Sequence, residues 1–119
     1  MTAALTPRRG EVWLVNLDPT VGNEISKTRP VVVVSSDHIG ILNLRVVTPL
    51  TSWQPMCDDK PWFVKITQSP QNGLSNDSAA DAFQVKSVSI NRFIKQLGTL
   101  DADDLEELEE ALKLVMELN

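Results

Sequence analysis

Val31, Val32, Val33 and Val34 follow Pro30 without interruption, and this run limits the fold more than any other stretch. β-Branched side chains lose rotamer freedom in a helix and pack well on a pleated surface. Four in a row with no polar residue between them predict a strand buried on both faces. Pro30 holds Arg29 extended and out of a helix. Upstream, Asp18 to Thr28 is polar and rich in breakers: Pro19, Gly22, Asn23, Glu24, Ser26 and Lys27. A mobile loop therefore meets a rigid strand at Arg29, with firm backbone beneath that side chain and solvent in front. Taken alone, an arginine here is a surface residue beside an edge strand. The nearby Glu24 and Lys27 make a polar cluster denser than that reading needs.

Before the loop, Glu11 to Leu17 alternates, with Glu11, Trp13, Val15 and Leu17 on one side and Val12, Leu14 and Asn16 on the other. That is a strand with one strongly apolar face. Ser35 to Gly40 turns the chain through Asp37 and Gly40, and Leu42–Thr48 is predicted as a third strand that ends, or lies at an edge, at Pro49. Thr51 to Lys60 reads as a polar loop, Trp62–Thr67 as a fourth strand, and Ser69–Ser78 as a loop. Ala82–Ile90 reads as a fifth strand, setting Phe83, Val85 and Ser87 against Gln84, Lys86 and Val88. A helical turn is expected over Asn91–Phe93 and a short strand over Ile94–Leu97, closed by Gly98. Asp101 is a helix N-cap with acids in the first turn behind it. Leu105, Leu108, Leu112, Val115 and Leu118 then give one amphipathic helix. The expected fold is mainly β (α+β): a partly open barrel of five or six short strands with a C-terminal helix. It is read as one domain over 1–119, with 1–8 as a flexible tail.

The net charge of −5 divides unevenly. Residues 101–119 hold eight acids against one base, whereas residues 1–100 hold ten Lys and Arg against eight Asp and Glu. The body is mildly basic and does not bind duplex nucleic acid by bulk charge, although a local patch suits a polyanion. A single cysteine, Cys57, excludes an internal disulfide and points to a reducing compartment. No apolar run approaches the length of a membrane span and the first ten residues lack a signal core. A soluble cytoplasmic protein, with no membrane association, is expected.

Conventional catalytic signatures are missing. There is no phosphate-binding glycine loop, no CxxC, and only one histidine, His38, which reads as a surface turn residue. Asp58 and Asp59 are a weak cation signal, and no metal or cofactor is expected. What remains is Arg29, Glu24 and the hydroxyls of Thr51 and Ser52. An arginine, a carboxylate and hydroxyls suit phosphate chemistry, because the guanidinium is an always-charged fork for phosphate oxygens.

These residues lie within longer stretches that carry a resemblance: Arg9-Gly-Glu-Val-Trp-Leu-Val-Asn-Leu-Asp-Pro-Thr20, Gly22-Asn-Glu24, Lys27-Thr-Arg-Pro-Val-Val-Val-Val34, Val46-Val-Thr-Pro-Leu-Thr51 and Gln84-Val-Lys-Ser87. The chain resembles the MazF/PemK family of toxin endoribonucleases from bacterial toxin–antitoxin pairs. The resemblance implies an SH3-like barrel of up to seven strands, usually a homodimer. It also implies metal-independent cleavage of single-stranded RNA at a short preferred sequence. The ribose 2′-hydroxyl attacks the adjacent phosphorus, leaving a cyclic phosphate and a 5′-hydroxyl, so the substrate supplies its own nucleophile.

By the same resemblance, Arg29 stabilises the charge on the five-coordinate phosphate and takes part in proton transfer. Thr51 holds a phosphate oxygen, Ser52 shares that work, and Glu24 is a base or an RNA-positioning group. Gln84 is an RNA or structural contact, and Asn23 and Lys27 are RNA-binding residues of the same loop. Trp53 either stacks on a base or packs on the barrel. Many members carry a carboxylate where this chain has Phe83, which leaves the chain without that acid unless Asp81 serves. A cognate antitoxin with a disordered segment is expected to cover the 18–28 loop across the dimer. The alternatives are a non-enzymatic toxin on the same barrel that binds a protein such as DNA gyrase, or an SH3-like interaction module.

Overall fold

The valine run forms β2 (Thr28–Val33), and Val31, Val32 and Val33 are fully buried. Both faces are covered, as a continuous β-branched run requires. Val31 and Val33 pack with Trp13, Val15, Leu17, Val47, Val88 and Phe93, the Trp13 and Phe93 rings meeting edge-on at 5.6 Å. Val32 and Val34 lie on the other side with Val12, Leu50, Val64, Ile66, Leu108 and Ala111. The computed structural model describes residues 6–39 and 43–118. The expectations for residues 1–5, Gly40 and Leu42 lie outside the described residues. At the near end the chain is already anchored: Pro7 is fully buried and its carbonyl accepts from Arg45 Nε at 2.8 Å. Within the expected tail, Pro7 is therefore packed against the fold, while Thr6 and Arg8 are exposed.

The other elements are β1 (Glu11–Asn16), β3 (Leu44–Ser52), β4 (Phe63–Ile66), β5 (Ser78–Asp81), β6 (Lys86–Ser89), β7 (Phe93–Thr99) and α1 (Ala102–Met116). They make an antiparallel seven-stranded open sheet in the order β4-β5-β3-β2-β1-β7, with β6 also paired to β3. The architecture is mainly β with one C-terminal helix, at the upper end of the expected strand count. Asp101 caps α1 by accepting from Asp104 N at 2.8 Å, and Leu105, Leu108, Ala111, Leu112 and Val115 form its buried stripe. Leu118 departs from the expected stripe. Glu117 takes a left-handed conformation (φ 54°) that ends the helix, and Leu118 is left exposed. Arg9 ties α1 to the sheet, donating to the Val34 carbonyl and pairing with Glu109 Oε1 at 2.5 Å.

Three expectations are corrected. β3 does not stop at Pro49 but continues to Ser52, so Thr51 and Ser52 are strand residues and not part of a loop. The Val46 carbonyl accepts from Val34 N and so faces β2; by strand alternation position 49 faces the opposite edge. There β3 changes partner, from β6 at Leu44–Val47 to β5 at Leu50–Ser52, and a missing N–H interrupts no ladder. Ala82–Ile90 is likewise not one strand. A 3-10 turn over Ala82–Gln84, opened by Asp81 Oδ1 accepting from Phe83 N at 3.0 Å, separates β5 from β6. Lastly, β7 runs through Gly98 to Thr99.

The Thr48 hydroxyl oxygen is buried without a hydrogen-bond partner among the described residues. A buried polar group left unpaired carries its full desolvation cost. Thr48→Val is therefore expected to raise stability by about 1 kcal/mol, read as a higher urea midpoint at unchanged slope. A lower midpoint would mean that the hydroxyl is paired.

Candidate active site

The site begins at a backbone discontinuity. Val34 donates to Val46, so alternation turns position 30 toward β3 as well. Pro30 has no N–H to give, and the β2–β3 ladder stops one pair short of it, at Val31↔Pro49. Carried two residues further, the same register sets Arg29 opposite Thr51 on one face of the sheet, beyond the last pair of the ladder. The proline that fixes Arg29 in an extended conformation thus also withholds the N–H that would carry the β2–β3 ladder on toward Arg29 and Thr51.

Arg29 is half-buried, and Nε donates to the Ser26 carbonyl at 3.2 Å. The other arginines spend terminal nitrogens on the fold. Arg8 pairs with Asp37, Arg9 with Val34 and Glu109, and Arg45 with Leu44. Arg92 donates to the Asn16 and Asp18 carbonyls. Among the described residues, only Arg29 has both terminal guanidinium nitrogens without a protein partner. A planar, permanently charged fork anchored through Nε and open at its end is suited to two oxygens of a phosphate. The Thr51 hydroxyl also makes no hydrogen bond within the described residues.

The loop expected to be mobile is instead tied down. At its base, Leu17 N donates to the Lys27 carbonyl at 2.9 Å and Lys27 N to Asp18 Oδ1 at 2.9 Å, with Lys27 in a left-handed conformation (φ 71°). In its middle, Ile25 packs on the Trp13–Val31 core, and Ile25 N donates to Gln84 Oε1 at 2.6 Å. Gln84 Nε2 donates to the Asn23 carbonyl at 3.2 Å. Glu24 folds back on the loop, with Oε1 accepting from Val21 N at 2.9 Å and Oε2 3.9 Å from Lys86 Nζ.

The predicted residues therefore form two groups. Asn23, Glu24 and Gln84 line a groove of about 390 Å3 together with Val21, Phe83, Val85 and Lys86. The β2–β3 register, extended past its last pair, puts Arg29 and Thr51 opposite one another, and Ser52 follows, exposed and opposite Ser78. Lys27 is held through its backbone, with its side chain exposed. Trp53 is half-buried beneath Lys65 Nζ, 5.4 Å from the ring centre. Lys86 was not singled out from the sequence; its contact with Glu24 depends on β6 lying beside the loop, which no local pattern encodes.

Phe83 is two-thirds exposed and meets Trp62 edge-on at 6.1 Å. Asp81 does not replace the acid missing there. It is 5 % exposed and engaged in capping the 3-10 turn. Burial pushes its carboxyl above the ordinary 3.8, opposed by hydrogen bonds from the Phe83 and Gln84 amides and the Gln84 side chain. Among the described residues no three His, Cys, Asp or Glu side chains gather to hold a metal ion, and no helix is long and apolar enough to cross a membrane.

Comparison with known proteins adds the following. Residues 8–116 match the family model described as PemK-like, MazF-like toxin of type II toxin-antitoxin system. The chain is 37% identical over 117 residues to endoribonuclease MazF9 of Mycobacterium tuberculosis, covering 93% of this chain and 97% of that protein. It superposes on the crystal structure of MazF from Deinococcus radiodurans with a TM-score of 0.80 at 23% identity, covering 95% and 98% of the two chains. A MazE-MazF structure from the same organism matches with a TM-score of 0.73 at 25% identity, covering 95% and 97%.

Proposed function

The chain belongs to the PemK-like, MazF-like toxins of type II toxin–antitoxin systems, and on that premise we propose that it is an endoribonuclease cutting single-stranded RNA without a metal. In the reaction the ribose 2′-oxygen forms a bond to phosphorus as the bond to the 5′-oxygen breaks. The 2′ proton departs and the 5′-oxygen gains one, leaving a cyclic phosphate and a 5′-hydroxyl. Charge accumulates on the non-bridging oxygens in between, and donors aimed at such charge are commonly the largest contribution to catalysis.

Arg29 supplies that donor, with its terminal nitrogens on the two oxygens, and Thr51 steadies an oxygen from the facing strand. Glu24 is the candidate base. Asn23, Lys27, Ser52 and Trp53 are assigned to the RNA path beside these groups. The observation that carries the reading is Arg29's pair of unpartnered terminal nitrogens, just beyond the end of the β2–β3 pairing at Val31↔Pro49. The whole chain acts as one toxin domain in the cytoplasm, as a homodimer. A cognate antitoxin, the counterpart of MazE in the related complex, binds over the 18–28 loop and blocks cleavage. The gyrase-binding alternative is not favoured, because the relative matched along nearly its whole length is an endoribonuclease.

The test is cleavage of a long single-stranded RNA by the purified chain in excess EDTA, with both new ends mapped. Cutting at a short recurrent sequence with cyclic-phosphate and 5′-hydroxyl ends is expected. Cleavage that appears only when magnesium is added would overturn the metal-independent mechanism.

A further inference from the structure

We infer that Gln84 is a positioning residue, its carboxamide clamping the middle of the 17–27 loop and so fixing Glu24 relative to Arg29 and Thr51. The inference rests on the ribonuclease reading for its consequence in catalysis, but not for the clamp itself. Both ends of the carboxamide are used: Oε1 takes the Ile25 amide at 2.6 Å, and Nε2 gives to the Asn23 carbonyl at 3.2 Å. Glu24 is the residue between those two backbone groups. A side chain that grips the backbone on each side of Glu24 sets where that carboxylate stands.

The clamp is itself supported from below. Gln84 ends the 3-10 turn that the buried Asp81 opens by accepting from Phe83 N at 3.0 Å. The loop's other restraints act elsewhere or are weak. The Leu17–Lys27 and Asp18–Lys27 bonds, and Arg92 on the Asp18 carbonyl, close its base. Near its middle the other polar contacts do not tie Glu24 firmly to the barrel. The Val21–Glu24 bonds are internal to the loop and move with it, and Arg29 Nε reaches the loop only at the Ser26 carbonyl. Lys86 lies 3.9 Å from Glu24 with the Glu24 side chain half exposed, a kind of pair that contributes little. Ile25 packing resists withdrawal of the loop but does not orient the Asn23–Glu24 peptide. Without Gln84 the base stays closed while the segment bearing Glu24 is released.

The experiment compares wild type with Gln84→Met, which keeps length and loses both hydrogen bonds, and Gln84→Glu, which keeps the acceptor for Ile25 N and loses the donor to Asn23. Hydrogen exchange over residues 19–27 is measured alongside steady-state cleavage of an RNA oligonucleotide. Exchange about tenfold faster is expected for Gln84→Met, with kcat reduced about 10- to 100-fold at unchanged KM. Gln84→Glu should fall between it and wild type on both readouts. It also stands in should Gln84→Met lose its cooperative unfolding transition. Unchanged exchange overturns the clamp. Faster exchange with unchanged kcat, or a higher KM at unchanged kcat, overturns the positioning role, the last because it marks a direct RNA contact. Wild type that does not cut RNA would instead sink the ribonuclease reading, and the exchange result would still decide the clamp.

Discussion

Arg29→Ala is expected to reduce RNA cleavage by at least about 10³-fold in kcat, with little change in the urea unfolding midpoint. The two halves of this expectation come from different atoms. Catalysis depends on the terminal nitrogens, which meet no protein group among the described residues and are free for a phosphate whose charge grows in the transition state. Removing one such donor commonly costs 10²–10³ in rate, and alanine removes the whole fork together with its charge. Stability depends on much less, since the one hydrogen bond lost is from Nε to the Ser26 carbonyl. Arg29→Lys keeps the charge but replaces the planar fork with a point donor, and should fall between wild type and alanine. Single-turnover cleavage of a labelled oligonucleotide in EDTA separates these cases. Activity of Arg29→Ala within a few-fold of wild type would remove Arg29 from the chemistry.

What the sequence disclosed about this site follows a physical division. The strand at Val31–Val34, the apolar alternation of Trp13, Val15 and Leu17, and the Asp101-capped helix are specified by neighbours in the chain, and they are where the periodicity places them. β5 was invisible because Ser78, Ala79 and Ala80 are small and carry no apolar period. They are buried by partners distant in sequence, Leu50 to Ser52 on one side and Val64 to Ile66 on the other. Pro49 misled for a related reason. A proline ends a ladder only if its nitrogen faces a partner, and the sequence does not tell which edge that is. Pro30 and Pro49 occupy neighbouring strands with opposite consequences: one ends the β2–β3 ladder beside the site and the other is tolerated inside β3.

The site divides in the same way. Arg29 was legible because Arg-Pro-Val-Val is a local statement about a charge held at a strand entrance. Thr51 was legible as a residue type, but its place opposite Arg29 needed β3 to pass Pro49 in register with β2. The use of Gln84 as a clamp, and of Asp81 as the cap beneath it, depends on the 3-10 turn that replaced the expected strand. An alternating pattern from Phe83 to Val88 imitated a strand there, and only the buried Asp81 bonded to Phe83 N distinguishes the two.

Gly98→Ala is expected to cost about 3 kcal/mol or more, seen as a large fall in the urea midpoint with the slope unchanged. Gly98 reads in the sequence as a strand terminator, yet it lies inside β7, and its missing side chain is what the packing requires. A Cβ there would stand 2.2 Å from the Gln71 carbonyl oxygen and 2.6 Å from the Asn72 carbonyl carbon. Both are backbone atoms of a loop with little freedom to withdraw. Thr99 N donates to that same Gln71 carbonyl at 2.9 Å. Asn72, nearly fully buried, holds the loop through Ser69 N, Leu74 N and the Thr67 carbonyl. Leu74 is seated in the core beneath α1. Relieving the clash means lifting this loop off β7, breaking the Thr99 bond and withdrawing Leu74 together. Gly22→Ala is the contrasting case: a Cβ there meets nothing within 4 Å, and the cost is that of the left-handed backbone at φ +60°, about 1 kcal/mol. A Gly98→Ala midpoint no lower than that of Gly22→Ala would mean that the loop yields freely and that the contact between residues 71–72 and β7 is not fixed. The expected ordering, with normal cleavage by the fraction of Gly98→Ala that remains folded, would place this glycine in the fold and outside the chemistry.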